Sequence, residues 1–143
     1  MPIDYTNVIY DKIIKNLRKT IGGELSVPVY MDQHRGSGSI LIEVAEDTLL
    51  NMFSSGQERE YTINLTYELN SGGLINAKHF KQVSNIAEHL KRLFAPDQNV
   101  LDGTDYYGAR VTSITYEKDE EEPKMRAIVV LTLISLEAVW KSR

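Results

Sequence analysis

Met125–Trp140, MRAIVVLTLISLEAVW, is the longest apolar run in the chain. Taken as a strand, it places Ile128, Val130, Thr132, Ile134 and Leu136 on one face and Val129, Leu131, Leu133 and Ser135 on the other. Both sets are largely apolar, so the run reads as a strand covered on both faces for much of its length rather than as a sheet edge. Periodicity alone does not separate such a run from a buried helix, but the β-branched content favours strand. A membrane-spanning helix needs about 20 apolar residues; this run is shorter and interrupted.

Working outward, Asp119–Lys124, DEEEPK, is an acidic turn, and Ala109–Lys118, ARVTSITYEK, is a strand leading into it. Upstream lies a loop, Asp97–Gly108, and before it a helix over about Ala77 to Phe94. Phe80, Val83, Ala87, Leu90 and Phe94 form its apolar stripe, widened by Ile86 and Leu93, and Pro96 marks its stop. Asn70–Asn76 is a turn-rich connection. Glu58–Leu69 alternates strictly, with Tyr61, Ile63, Leu65, Tyr67 and Leu69 on one face and Thr62, Asn64, Thr66 and Glu68 on the other. Asp47–Gln57, DTLLNMFSSGQ, fits either one helical turn or an apolar loop.

Ser39–Glu46 reads as a strand that forms a hairpin with a shorter one, Val27–Met31, across the loop Asp32–Ser39. Pro28 confines the short strand to an edge or a strand start, because proline donates nothing to a ladder. The first helix spans about Asn7 to Ile21, with Asp4 or Thr6 as its cap and Gly22-Gly23 as its stop. Its stripe is Val8, Ile9, Ile13, Ile14, Leu17 and Ile21. The order is α-β-β-β-α-β-β over one domain, residues 1–143. The fold class is α+β: an antiparallel sheet of four to five strands with two helices packed on one face.

With 143 residues, 42% hydrophobic and 25% charged, the chain can bury a core without staples. It has no cysteine, which excludes disulfides and thiolate metal sites and fits a reducing compartment without proving one. The N-terminal MPIDYTNVIY has no basic segment followed by an apolar core and does not read as a secretory signal. A net charge of −4 argues against a dedicated nucleic-acid binder, and the cations are scattered apart from a modest concentration along the second helix.

No catalytic, cofactor or metal motif stands out. His34 sits in a Gly/Ser loop, and His79 and His89, ten residues apart on one helix, are about 15 Å apart along the axis and cannot share a metal ion. Asp32, Glu43 and Glu46 invite comparison with a metal-dependent nuclease, but Glu43-Val-Ala-Glu46 lacks the lysine such sites use against developing charge. Gly36-Ser-Gly38 and Gly72-Gly73 read as turns, not phosphate loops. Two features fit contacts with other molecules. Leu49, Leu50, Met52 and Phe53 are either folded under as core or offered to a partner. Asp119, Glu120, Glu121 and Glu122 make a solvated hairpin tip or an electrostatic contact.

The opening YDKIIKNLRKTI, the strand REYTINLTYEL, the helix KHFKQVSNIAEHLKRLF and the closing ITYEK and AIVVLTLISLEAVW together resemble the tail terminator, or tail completion, proteins of tailed bacteriophages. The resemblance spans nearly the whole chain and rests on polarity and length of elements rather than on signature residues. It implies a virion structural protein, present in the host cytoplasm during assembly, that forms a ring of six. Such a ring caps the tail tube, ends its growth and joins the tail to the head. The implied partners are further copies of itself, a tail tube protein and a head–tail neck or connector protein. DNA passes through the lumen without specific binding, and no cofactor, membrane or catalytic residue is involved. A neighbouring neck protein is a related reading. The competing classes are a metal-dependent DNA-processing enzyme and a small regulatory binding domain.

Overall fold

The computed structural model describes residues 5–94 and 106–137. The chain opens with a π-helical stretch, Val8–Ile14, that continues without a break as α1, Lys15–Leu25. Asn7, not Thr6, is the cap, its Oδ1 accepting from the Tyr10 amide at 3.1 Å, while Asp4 lies outside the described residues. The helix also runs through Gly22-Gly23 rather than stopping there. It ends at Ser26, which takes the left-handed conformation at φ 54° and donates its N–H to Gly22 O at 3.2 Å. Nothing at the glycines forces a stop; positive φ is adopted where the hydrogen bonds run out.

Among the described residues five strands follow, in the spatial order β1-β2-β3-β5-β4. They are β1 Val29–Tyr30, β2 Gly38–Met52, β3 Gln57–Asn70, β4 Tyr107–Asp119 and β5 Lys124–Glu137. The helix α2, Ala77–Leu93, lies in sequence between β3 and β4. Two expectations about β1 and β2 are corrected. First, β1 does not form a hairpin with β2; it pairs parallel to it, Val29 beside Ile40 and Tyr30 beside Leu41. Pro28 sits just before the ladder and contributes only its carbonyl, to Ile40 N–H at 2.9 Å. Second, Asp47–Met52 is neither helix nor loop but the second half of β2, paired with the start of β3. A strand is compatible there because irregularities at Val44/Glu46 and Leu49/Asn51 break the alternation that would have marked it.

The core forms on one face of the sheet. Ile40 and Ile42 of β2, Ile63, Leu65 and Tyr67 of β3 and Ala127, Val129, Leu131 and Leu133 of β5 are buried there with Ile13, Ile14, Leu17 and Ile21 of the first helix. From α2, Val83, Ala87, Leu90 and Leu93 are buried, as is Phe94 just after it, whereas Phe80 is 45% exposed and lies against Tyr116, ring centroids 5.4 Å apart. The α2 start is held by a reciprocal cap: Asn76 Oδ1 accepts from Lys78 N–H at 2.9 Å, and His79 Nδ1 accepts from Asn76 N–H at 3.1 Å. His89 Nε2 lies 3.2 Å from Glu24 and ties the two helices together. Buried Tyr106 reaches α1 by donating its hydroxyl to Asn16 Oδ1 at 3.1 Å.

Among the described residues no helix lies on the sheet's second face. On β5, Ile128, Val130 and Ile134 are half-buried and Leu136 is 65% exposed, so coverage of both faces is corrected to coverage of one. Thr132 lies in the middle of this stripe, and its Oγ1 is buried without a hydrogen-bond partner among the described residues. At the far end of β2, Gly38 leaves room for the Tyr67 hydroxyl; a Cβ there would stand 2.7 Å from it. Tyr67 is a rigid ring fixed in the core, so Gly38→Ala should destabilise by about 1–3 kcal/mol. Leu131→Ala, at a fully buried position, should destabilise by about 2–5 kcal/mol. Urea unfolding measures both; a loss below half a kcal/mol at either would contradict this packing.

Candidate interaction surface

The most conspicuous surface is the outer half of β2 with the turn into β3, here called the arm; its inner strand, β3, stays paired with β5 as far as Gln57. Every residue of β2 from Glu43 to Met52 is exposed, on both faces of the strand. β1 covers only Ile40 and Leu41, so the outer edge of β2 beyond them has no neighbouring strand among the described residues. An open edge of this length invites pairing with another chain. The arm closes at Phe53–Gly56, where Phe53 N–H donates to Gly56 O at 2.8 Å.

The tip is apolar. Leu49 is 44% exposed, Leu50 40%, Met52 66% and Phe53 49%. By cross-strand register Leu49 and Met52 share the face of Arg59 and Gln57, the face that is core further down the sheet. The sequence left these four side chains between core and surface; the structure puts them on the surface, grouped at one end of the molecule.

Charged hydrogen bonds stiffen the arm's root. Arg59 Nε donates to Asp47 Oδ1 at 2.6 Å, across β2 and β3, and its guanidinium also bonds Gln57. Pairing with Asp47 holds the Arg59 guanidinium above its ordinary pKa. Tyr61 donates to Glu137 Oε2 at 2.6 Å; burial first, then this carboxylate, pushes the phenol's pKa up. On the opposite face Glu58 accepts from the Tyr107 hydroxyl and from Asn51 Nδ2, and these two bonds hold its carboxyl below the usual range. Arg110 pairs with Glu60 at 3.3 Å. A polar network thus takes over from apolar packing at this end of the sheet.

The other candidates resolve into local structure. Asp119 Oδ1 accepts from the N–H groups of Glu121 and Glu122 at 3.1 and 3.2 Å, closing the acidic turn. Glu120 pairs with Lys118 and Glu122 with Lys124, both at 3.1 Å, so much of that charge is balanced within the hairpin. His34 shares a 2.9 Å hydrogen bond with Ser39 and lies 3.8 Å from Glu68. Glu43 lies opposite Asn64 and Glu46 opposite Thr62, while Asp32 sits on the β1–β2 loop, paired with Arg35. Among the described residues no group of three or more His, Asp or Glu is placed to hold a metal ion. No described helix is long and apolar enough to cross a membrane.

No protein-family model matches the chain. No curated protein matches it in sequence. Among solved structures, it shares its fold with a chain of the structure titled "Virion of native gene transfer agent (GTA) particle", at a TM-score of 0.57 and 12% identity, over 87% of this chain and 92% of that one. At that identity the likeness is one of fold.

Exposure at the arm tip has a direct consequence for stability. Met52→Ser with Phe53→Ser should change the unfolding free energy by less than about 1 kcal/mol, as surface substitutions do. Burial would have made each worth roughly 1.5–3 kcal/mol. Chemical denaturation separates the two; a loss of several kcal/mol would show the tip packed into the core.

Proposed function

We propose that this chain is a structural component of a phage-like virion, and that it assembles as a ring of six copies that caps a tail tube, ends its growth and joins the tail to a neck or connector protein. The observation that carries the virion role is the fold shared, over nearly the full length of both chains, with a component of a virion particle. The finer role in tail capping is supported by the resemblance of the element pattern to tail terminators. It is also supported by the arm, whose apolar tip and open edge are the kind of surface a subunit uses on a neighbour or on a tube.

An acidic balance fits a lumen that DNA traverses. Each copy brings a formal −4, which repels phosphate and favours passage over sticking. The competing enzyme reading asks Asp32, Glu43 and Glu46 to converge, yet Asp32 lies on the β1–β2 loop, paired with Arg35, and the two glutamates in the middle of β2.

The deciding experiment assembles a matching tube protein with and without this chain. Tubes should stop at a uniform length when it is present and grow on when it is left out. Continued growth in its presence would overturn the capping role. The same protein incubated with DNA and Mg²⁺ or Mn²⁺ should leave the DNA intact and bind it weakly at physiological salt. Metal-dependent cleavage that disappears in Glu43→Gln would replace this reading with the enzymatic one.

A further inference from the structure

A groove of about 600 Å³ lies between the first helix and the segment that leads into β1. Its apolar lining includes Tyr10, Ile14, Val29 and Met31. Its rim carries Lys15, Arg18 and Lys19, three cations against the one carboxylate of Asp11. The three cations follow the spacing i, i+3 and i+4 and therefore share one side of α1. Among the described residues none of them has a carboxylate partner; Arg18 spends one N–H on Val29 O at 3.4 Å.

The arm is the complement of this groove. It offers four exposed apolar side chains at its tip, and residues 43–60 hold five carboxylates, Glu43, Glu46, Asp47, Glu58 and Glu60, against the single Arg59. Apolar surface meets apolar surface, and net negative charge meets net positive. The arm cannot serve its own groove. β1 pairs with β2 at Ile40–Leu41, and the strand then runs on to Met52, so the tip lies about 40 Å away at the other end of the sheet.

We infer that the arm of one copy docks into the helix-1 groove of the next. Donor and acceptor are different surfaces, so the contact is heterologous and each copy can use both at once. Such contacts propagate head to tail and close into a ring when the rotation between copies allows it. The inference rests on the ring reading and names the surfaces that would build it.

The absence of cysteine from the sequence allows a clean test. Phe53→Cys and Lys19→Cys proteins, mixed and oxidised, should give a cross-linked pair containing one of each, and neither alone should cross-link. Lys15→Glu with Lys19→Glu should weaken self-association, measured by sedimentation, by at least about tenfold. Glu58→Lys in the same chain, at the arm carboxylate nearest the tip and opposite Asn51, should recover part of it, a rescue that misfolding would not give. Association indifferent to the reversal, or a cross-link between two Phe53→Cys copies, overturns the docking and leaves the ring standing on other surfaces. A chain that stays monomeric and uncross-linked at its highest soluble concentration also overturns the docking. Tube length in the assembly experiment then decides the ring reading independently.

Discussion

Two helices cannot cover a sheet whose central strands are this long. β3 and β5 have 14 residues each and pair along their whole length, from Gln57 beside Glu137 to Asn70 beside Lys124. A strand of that length spans about 46 Å, whereas the 17 residues of α2 make a helix of about 25 Å. The hydrophobic core therefore occupies one face and part of its length. Everything else distinctive about the molecule lies where that cover ends.

At the root of the arm the physics changes from packing to hydrogen bonding. Tyr61 is the last buried aromatic of β3; its hydroxyl donates to Glu137, and beyond it Arg59 donates to both Asp47 and Gln57. Such a network helps hold β2 against β3, which is itself paired with β5 there. The apolar residues beyond it are exposed, and no described helix lies over them. Their exposure is therefore a property of the chain's architecture rather than of a local sequence signal.

The second face of the sheet poses the same question more quietly. Its β5 stripe, Ile128 to Leu136, is flanked by polar side chains, among them Asn64, Thr66 and the Glu68–Arg126 ion pair at 3.3 Å. In a single chain this face is half solvated, which the sequence's uniform apolarity does not suggest.

Local patterns settled much of the fold. Strict alternation marked the buried face of β3, and three-and-four spacing marked the buried side of both helices. These signals were legible because each residue's orientation follows from its neighbours in sequence. The path of the chain past Ala45 was not legible, because a bulge cancels alternation and leaves a strand looking like a loop. Nor was the parallel pairing of β1, since a two-residue strand carries no information about its partner's direction. The stop of the first helix was misplaced for a related reason: glycine permits an end but does not impose one. As for the candidate surface, the sequence supplied the four apolar residues at 49–53 and left their fate open. Tertiary structure decided it, because whether a side chain is buried depends on which element lies over it, and here no described helix does.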